Sequence, residues 1–444
     1  MPQTASRRKF LRQATAAALV APAIGSSIAW GYPANSKVRH AAVGVGNMGA
    51  YDLKRIASSP HSEVVALCDI DDRYLDAAAK IFPDARRYND FRKMFDAEDK
   101  NIDSCNITTP DHMHAPITMT AIQQQKHVFC QKPLTHEIDE ARKIRLAAQK
   151  AGVTTQLGTQ IHSHAAYRTA VRLLRDGAIG RVREVHTWVD RAWSNNGRPK
   201  PASPPPYIHW DLWLGVAPTR PWGPDAYHPK KWWSWLDFGS GNLGDMGSHL
   251  LDPVVSGLAL GAPTSVRAQG DPPANETWPS FGKVVFEFPG TLFTSGPLRL
   301  TWYDGGYDKG HHPPIELAPL GKDEKLPRLG SIFLGERGTL LLPHVNTPRL
   351  LPEKSFEDFP MPEVGEVHHW HAFVDACRGE GTTDVNFSYA GRLTETVLLG
   401  NLARRFPGQR LEWNEASLKV TNFTAANRFL SREYRKGWEI PGLI

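Results

Sequence analysis

The sequence predicts an α/β chain of two domains, an N-terminal doubly wound parallel sheet followed by a C-terminal α/β domain with an open, mainly antiparallel sheet. Three observations carry this expectation. At 444 residues and 41% hydrophobic content the chain is too long for one average domain and too apolar for a disordered one. From Lys37 to about residue 160, short β-rich runs alternate with helix-length stretches, the pattern of parallel strands joined by helical crossovers. Beyond that point the runs lengthen and few helices intervene, as in antiparallel sheets.

The parallel strands are expected at 38–45, 63–68, 103–107, 127–130 and 153–157. In one crossover Ile138, Ala141, Ile144 and Ala148 share a helical face, and Gly152 stands where a C-terminal cap belongs. A helix over 165–176, stopped by Gly177, leads into strands at 182–190, 283–288, 292–302 and 331–342. Helix-like stretches at 367–378 and 389–405 are expected to pack back on the domain junction. The organisation read from this is a first domain over 36–160, a second over 161–418 and an extension over 419–444.

The formal net charge is +6, but residues 1–29 hold Arg7, Arg8, Lys9 and Arg12 and no acid, so the remainder carries +2. The basic signal for nucleic acid then largely disappears. Arg7-Arg8 precede Phe10-Leu11, a mostly apolar stretch from Ala14 to Ile24, and small residues up to Ala29. These are the three regions of a signal peptide, of the twin-arginine type, and the apolar stretch is well short of the ~20 residues that span a bilayer. Cleavage near Ala29, export to the periplasm and a mature chain without a membrane span are expected. Cys68, Cys105, Cys130 and Cys377 show no C-x-x-C spacing, which favours buried free thiols over disulfides; no metal site is expected.

Gly44-Val45-Gly46-Asn47-Met48-Gly49 forms G-x-G-x-x-G between the first strand and a helix, and Asp69 follows Gly49 by 20 residues at the end of the second strand. The glycines let the backbone approach a pyrophosphate, the helix N-terminus offers free N–H groups, and the carboxylate accepts both ribose hydroxyls of an adenosine. Because Asp69 would repel a 2′-phosphate, NAD is favoured over NADP.

Three further segments complete the pattern: Thr108-Thr109-Pro110-Asp111-His112-Met113-His114, Gln131-Lys132-Pro133, and Gly244-Asp245-Met246-Gly247-Ser248-His249. Together with the glycine fingerprint they resemble the Gfo/Idh/MocA family of sugar and polyol oxidoreductases. The resemblance implies a Rossmann domain joined to an α/β domain whose open sheet serves as a homo-oligomer face. A small carbohydrate would bind at the junction, against the nicotinamide of NAD. It also implies catalytic roles for Lys132, Asp245 and His249, and cofactor contacts from Thr109, Pro110, His112, His114, Gln131 and Lys132 besides those of Asn47 and Met48. Positions 245 and 249 lie one helical turn apart and share a face. Oxidation of a secondary alcohol needs a base for the hydroxyl proton and a cation for the developing oxygen charge; His249 and Lys132 suit these roles, and either could be the base. Gln131 stands where the family pattern has Glu, which replaces a charge beside Lys132 by an amide that can still hydrogen-bond.

A Pro- and Trp-rich insertion at 193–235 holds seven of the 14 tryptophans. Aromatic faces suit the C–H side of a pyranose, so Trp210 and Trp233, with Tyr227, His228, Tyr207 and His209, are expected to contact substrate alongside Asp245 and His249. His368, His369 and His371 read as a helix start rather than a metal site. The expected function is NAD-dependent hydride transfer from a carbohydrate C–OH. The same residues fit an NAD-dependent glycosidase that oxidises, eliminates and reduces back, and fit less well a non-catalytic NAD- or sugar-binding protein. Export of a folded, loaded protein implies tightly bound NAD.

Overall fold

A computed structural model describes residues 36–195 and 197–444; the expected signal peptide at 1–29 lies outside the described residues. The first sheet comprises β1 (Val38–Val43), β2 (Ser62–Cys68), β3 (Arg86–Tyr88), β4 (Ser104–Ile107), β5 (His127–Cys130) and β6 (Thr155–Leu157). All its pairings are parallel, in the order β3-β2-β1-β4-β5-β6. The crossovers carry α1 (Met48–Ala57), α2 (Asp72–Ile81), α3 (Phe91–Glu98), α4 (His114–Gln123) and α5 (Ile138–Ala151). The expected cap is there, with Gly152 in the left-handed region at φ 67°. Between β1 and β4 the winding reverses, and the crevice beyond the strand ends at such a point is where α/β sheets bind ligands. The edge strand β3 escaped the sequence reading because its Arg86-Arg87-Tyr88 is short and polar, as edge strands are.

The second domain begins with α6 (Ala165–Arg175) and β7 (Val182–Val189), followed by α7 (Trp210–Leu214), α8 (Gly241–Leu250) and α9 (Asp252–Gly257). Then come β8 (Ser265–Gln269), β9 (Gly282–Phe288), β10 (Thr294–Asp304), β11 (Leu329–Gly335), β12 (Thr339–Leu342) and β13 (Arg349–Leu351). Helices α10 (His369–Cys377) and α11 (Phe387–Arg404) precede β14 (Arg410–Asn414) and β15 (Lys419–Val420). The nine strands order as β13-β12-β11-β7-β10-β9-β8-β14-β15, and only β7 with β10 pairs parallel. The run expected as one strand at 331–342 is two, turned by a hairpin that Gly335 N–H closes on Gly338 O at 2.9 Å. Along β9 every second residue is buried, so one face of the sheet packs against helices. Part of the other face, at Trp188, Ile332 and Leu341, is covered by Ala318 and Leu326 of a long loop.

The C-terminal third returns to the first domain. Trp370 and Phe373 of α10 pack on Val38, Ile56 and Phe129, and α11 docks on α5 through the Arg142–Glu395 ion pair at 2.7 Å. Past β15 the tail inserts Trp438, Ile440 and Leu443 into the core of the first domain. The four cysteines are buried and none is disulfide-bonded. Among the described residues no helix is long and apolar enough to cross a membrane.

Candidate functional site

Where the winding of the first sheet reverses, a cavity of about 820 Å³ opens between the domains, within the usual range for small-ligand sites. Its floor is the glycine loop between β1 and α1. Gly44 sits at φ +82°, and a Cβ there would fall 2.3 Å from the Thr108 carbonyl oxygen; a Cβ at Gly49 would fall 2.0 Å from Gly44 O. The glycines are therefore demanded by the tight strand–turn–helix packing itself. Among the described residues no side chain caps α1; Gly49 N–H closes the loop on Gly46 O at 2.8 Å, and the positive end of the helix dipole is left facing the cavity for an anion.

Asp69, directly after β2, is buried and lines the cavity. Its Oδ2 accepts from Val45 N–H at 2.7 Å and its Oδ1 from Asp71 N–H at 2.9 Å, and Gly46 N–H also donates to the carboxylate, which orients it. Burial pushes its pKa up to about 6. Thr109 also lines the cavity, and its hydroxyl is buried without a hydrogen-bond partner among the described residues. An uncapped helix start, an oriented carboxylate and an unsatisfied hydroxyl around one elongated cavity fit a dinucleotide, with Asp69 toward a ribose and the glycine loop toward the pyrophosphate.

At the far end Lys132, Asp245 and His249 line the same cavity. Lys132 Nζ donates to Asp245 Oδ1. Although positions 245 and 249 share a helical face, His249 Nδ1 hydrogen-bonds the Thr159 hydroxyl at 3.0 Å. The side chains of positions 245 and 249 point to partners in different loops, which helical spacing alone does not resolve. Burial, reinforced by the charge of Lys132, holds the His249 imidazole well below the usual histidine range and therefore neutral.

Gln131 has its own explanation. Its Nε2 donates to Asp52 Oδ2 at 2.9 Å, and its Oε1 accepts Lys132 N–H at 3.2 Å. Asp52, fully buried on α1, also accepts from Trp370 Nε1 at 2.9 Å and Thr108 Oγ1 at 3.0 Å, and burial pushes it up to about 6. A Glu at 131 would set two carboxylates against each other. Sequence reading missed Asp52, although a carboxylate on the apolar face with Leu53 and Ile56 was a usable signal.

Several expectations need correction. His112 does not line the cavity: it is fully buried, its Nε2 meets Trp213 O at 3.0 Å, and its ring packs on Trp213 and Phe238. His114 does line it and ties two site loops together, with Nδ1 2.7 Å from Pro133 O and Nε2 2.8 Å from Thr109 O. Trp210 and Tyr227 are absent from the cavity wall; Trp210 stacks on Trp213 at 4.7 Å and Tyr227 is 1% exposed in the same aromatic cluster. The insertion must bury its own aromatic core, and these two rings serve it. His228 lines the cavity but bonds Asp71 at 3.0 Å, beside Asp69 and so toward the dinucleotide. Tyr207 and His209 bind the loop after β2, through Asp72 N–H at 3.0 Å and Ile70 O at 2.9 Å. Trp233 does face the cavity, stacked 5.0 Å from Trp193. His368 caps α10 by accepting from His371 N–H at 3.1 Å.

The insertion and the tail meet over the Asp69 end. Leu212 of α7 and Trp438 of the tail both line the cavity there, near Phe91. The guanidinium of Arg92 lies 4.0 Å over Trp438, and Arg435 donates from its backbone to Val216 O at 3.0 Å and from Nε to Gly215 O at 2.9 Å.

Comparison with known proteins matches this geometry. Residues 38–159 match the model of the oxidoreductase family's NAD-binding Rossmann fold, and residues 181–290 match that of its C-terminal alpha/beta domain. Inositol 2-dehydrogenase of Salmonella typhimurium is 32% identical over 147 residues, 32% of this chain and 43% of that protein. D-apiose dehydrogenase of Paraburkholderia graminis is 32% identical over 144 residues, 32% of this chain and 38% of that protein. The chain thus matches less than half the length of these curated relatives. The WlbA dehydrogenase of Bordetella pertussis, solved with NADH and UDP-GlcNAcA, superposes with a TM-score of 0.61 at 18% identity, over 85% of this chain and 99% of that one. Aldose-aldose oxidoreductase of Caulobacter crescentus gives 0.55 at 18% identity, over 85% and 100%. Likeness at that identity speaks to the fold, whereas the two family models match in order along the sequence. The chain belongs to the Gfo/Idh/MocA oxidoreductase family and carries its NAD-binding Rossmann domain.

Proposed function

We propose that the protein is an NAD-dependent oxidoreductase acting on a carbohydrate or polyol C–OH. The observation that carries this is the convergence of Lys132, Asp245 and His249 on the cavity that the glycine loop floors. Bound NAD would supply the hydride acceptor. With Thr159 donating to Ser248 O at 3.3 Å, its oxygen accepts from His249 Nδ1–H, which leaves the lone pair on Nε2 to take the substrate's hydroxyl proton. Lys132, its charge balanced by Asp245, faces the oxygen on which negative charge develops. The substrate's O–H proton goes to His249 Nε2 and its C–H hydrogen would go as hydride to the bound NAD, so that the C–OH becomes a carbonyl. The intact constellation argues against a non-catalytic binding protein.

The finer readings belong to the same proposal. Asp69 favours NAD over NADP by charge repulsion. The twin-arginine-type start argues for export to the periplasm, and the partly uncovered nine-stranded sheet is the face for a homo-oligomer. NAD is held tightly: Leu212 and Trp438, fastened by Arg92 and Arg435, line the cavity beside Phe91 at the Asp69 end, and this added apolar wall supports retention. A retained cofactor must be reoxidised by a second substrate or by return of the hydride, and this favours the NAD-dependent glycosidase as the second reading. The test is to incubate the purified protein with free sugars and chromogenic glycosides while following reduced nicotinamide and aglycone together. Net reduction supports the dehydrogenase, aglycone release without net reduction supports the glycosidase, and neither signal across the panel overturns both.

A further inference from the structure

The charges of the cavity are divided between its ends. Toward the dinucleotide it presents the carboxylates of Asp69 and Asp90, while Asp111 is held by Ser240 N–H at 3.0 Å and feels the charge of Lys132. Toward the substrate, Asp245 is committed to Lys132, and Asp252 behind it accepts from His162 at 2.9 Å and from the Tyr389 hydroxyl at 2.7 Å. Arg191 lines this second end; its charge helps hold the neighbouring Asp190 carboxylate low, but it makes no close ion pair with a carboxylate among the described residues. The adjacent Asp190 is taken by Arg328 at 2.5 Å and by Tyr307 N–H at 2.9 Å.

Arg191 is nevertheless held in place. Its carbonyl accepts Gly305 N–H at 2.8 Å, and its guanidinium lies 4.6 Å over the Trp193 ring, which in turn stacks on Trp233. Stacking fixes the plane of a guanidinium while leaving the N–H groups on its edge free, the geometry that grips a carboxylate in two places. Gln160 also lines the cavity, and its Oε1 is buried without a donor among the described residues, an acceptor that a sugar hydroxyl could satisfy.

We infer that the substrate is an acidic sugar whose carboxylate Arg191 binds beside the Trp193–Trp233 wall, with a ring hydroxyl donating to Gln160 Oε1. This rests on the reading of the cavity as a sugar site, and its test is binding rather than turnover, so the two can fail separately. The protein with NAD present is titrated calorimetrically with glucose and glucuronate, galactose and galacturonate, mannose and mannuronate, and with glucose 6-sulfate and 6-phosphate. In at least one pair the acid binds about 10-fold or more tighter than the neutral sugar. Arg191→Gln weakens that acid by about 10- to 100-fold and leaves its neutral partner unchanged, and Arg191→Lys restores only part. Equal binding of acid and neutral sugar in every pair, a preference that survives Arg191→Gln, or an Arg191-dependent preference for the sulfate or phosphate ester overturns the inference. Should the acid be preferred through Arg191 while no sugar is oxidised, the oxidoreductase reading falls and this one stands.

Discussion

Gln131 donates its side-chain amide to the Asp52 carboxylate at 2.9 Å, and through Asp52 it is joined to Thr108 and Trp370. One buried carboxylate thereby fixes the loops after β4 and β5 and the helix α10 around the nicotinamide end of the cleft. Gln131→Glu would place two carboxylates in that contact. At pH 8 the variant is expected to lose about 1–3 kcal/mol of stability, the usual cost of an unsatisfied or opposed buried polar group. At pH 5 the loss shrinks, because one shared proton removes the repulsion; urea unfolding at the two pH values measures the difference.

Stability of the wild type should fall as pH rises from about 4 to about 6. The folded pKa values of Asp52 and Asp69 both stand at about 6, above the ordinary 3.8, so the folded state binds more protons than the unfolded state in that window. The contribution is complete below the unfolded pKa and is lost through the folded one. Each group accounts for about 2–3 kcal/mol at 1.36 kcal/mol per pK unit. Asp52→Asn should flatten part of this slope in thermal unfolding across pH 4–7; an unchanged slope would show that Asp52 does not titrate there.

Lys132→Ala and His249→Ala should each lower turnover on the true substrate by ~10²- to 10⁴-fold while NAD remains bound, since both act on the substrate oxygen. Because burial keeps His249 neutral well below the usual histidine range, the acid limb of the wild-type pH–rate profile should lie below that range. Near-normal rates in both variants would make the constellation structural.

NAD should bind better than NADP, and Asp69→Ala should narrow the gap by ~1–3 kcal/mol, the scale of a repulsive charge at an interface. Competitive titrations with both nucleotides on wild type and variant decide it; equal wild-type affinities would exclude Asp69 as the discriminator.

Protein purified without added nucleotide should carry close to one NAD per chain, released on denaturation. Trp438→Ala removes part of the apolar wall at the Asp69 end and should raise the rate of NAD loss during dialysis at least ~10-fold, with the wild type as the slow reference. Chromatography of the released nucleotide measures both. An empty wild type that exchanges NAD freely would refute retention.

The parallel sheet, the glycine loop, Asp69 and the three segments with Lys132, Asp245 and His249 were legible in the sequence. Each depends on local chemistry: alternation of apolar runs, glycines that a turn requires, polar residues placed directly at strand ends. Partnerships were not legible, because they join residues far apart in the chain. That Lys132 takes Asp245, that Thr159 takes His249 Nδ1 and that Asp52 answers Gln131 follows only when α1, the loops after β5 and β6, and α8 come together. The Trp-rich insertion shows the same division. Its composition announced an aromatic surface, but an inserted segment must first bury a core of its own, so Trp210 and Tyr227 went inward while Trp193 and Trp233 were left to wall the cavity. The tail is the clearest case: nothing local to Trp438 points to the first domain, and only burial against Phe91 and Arg92 brings it to the cofactor cleft.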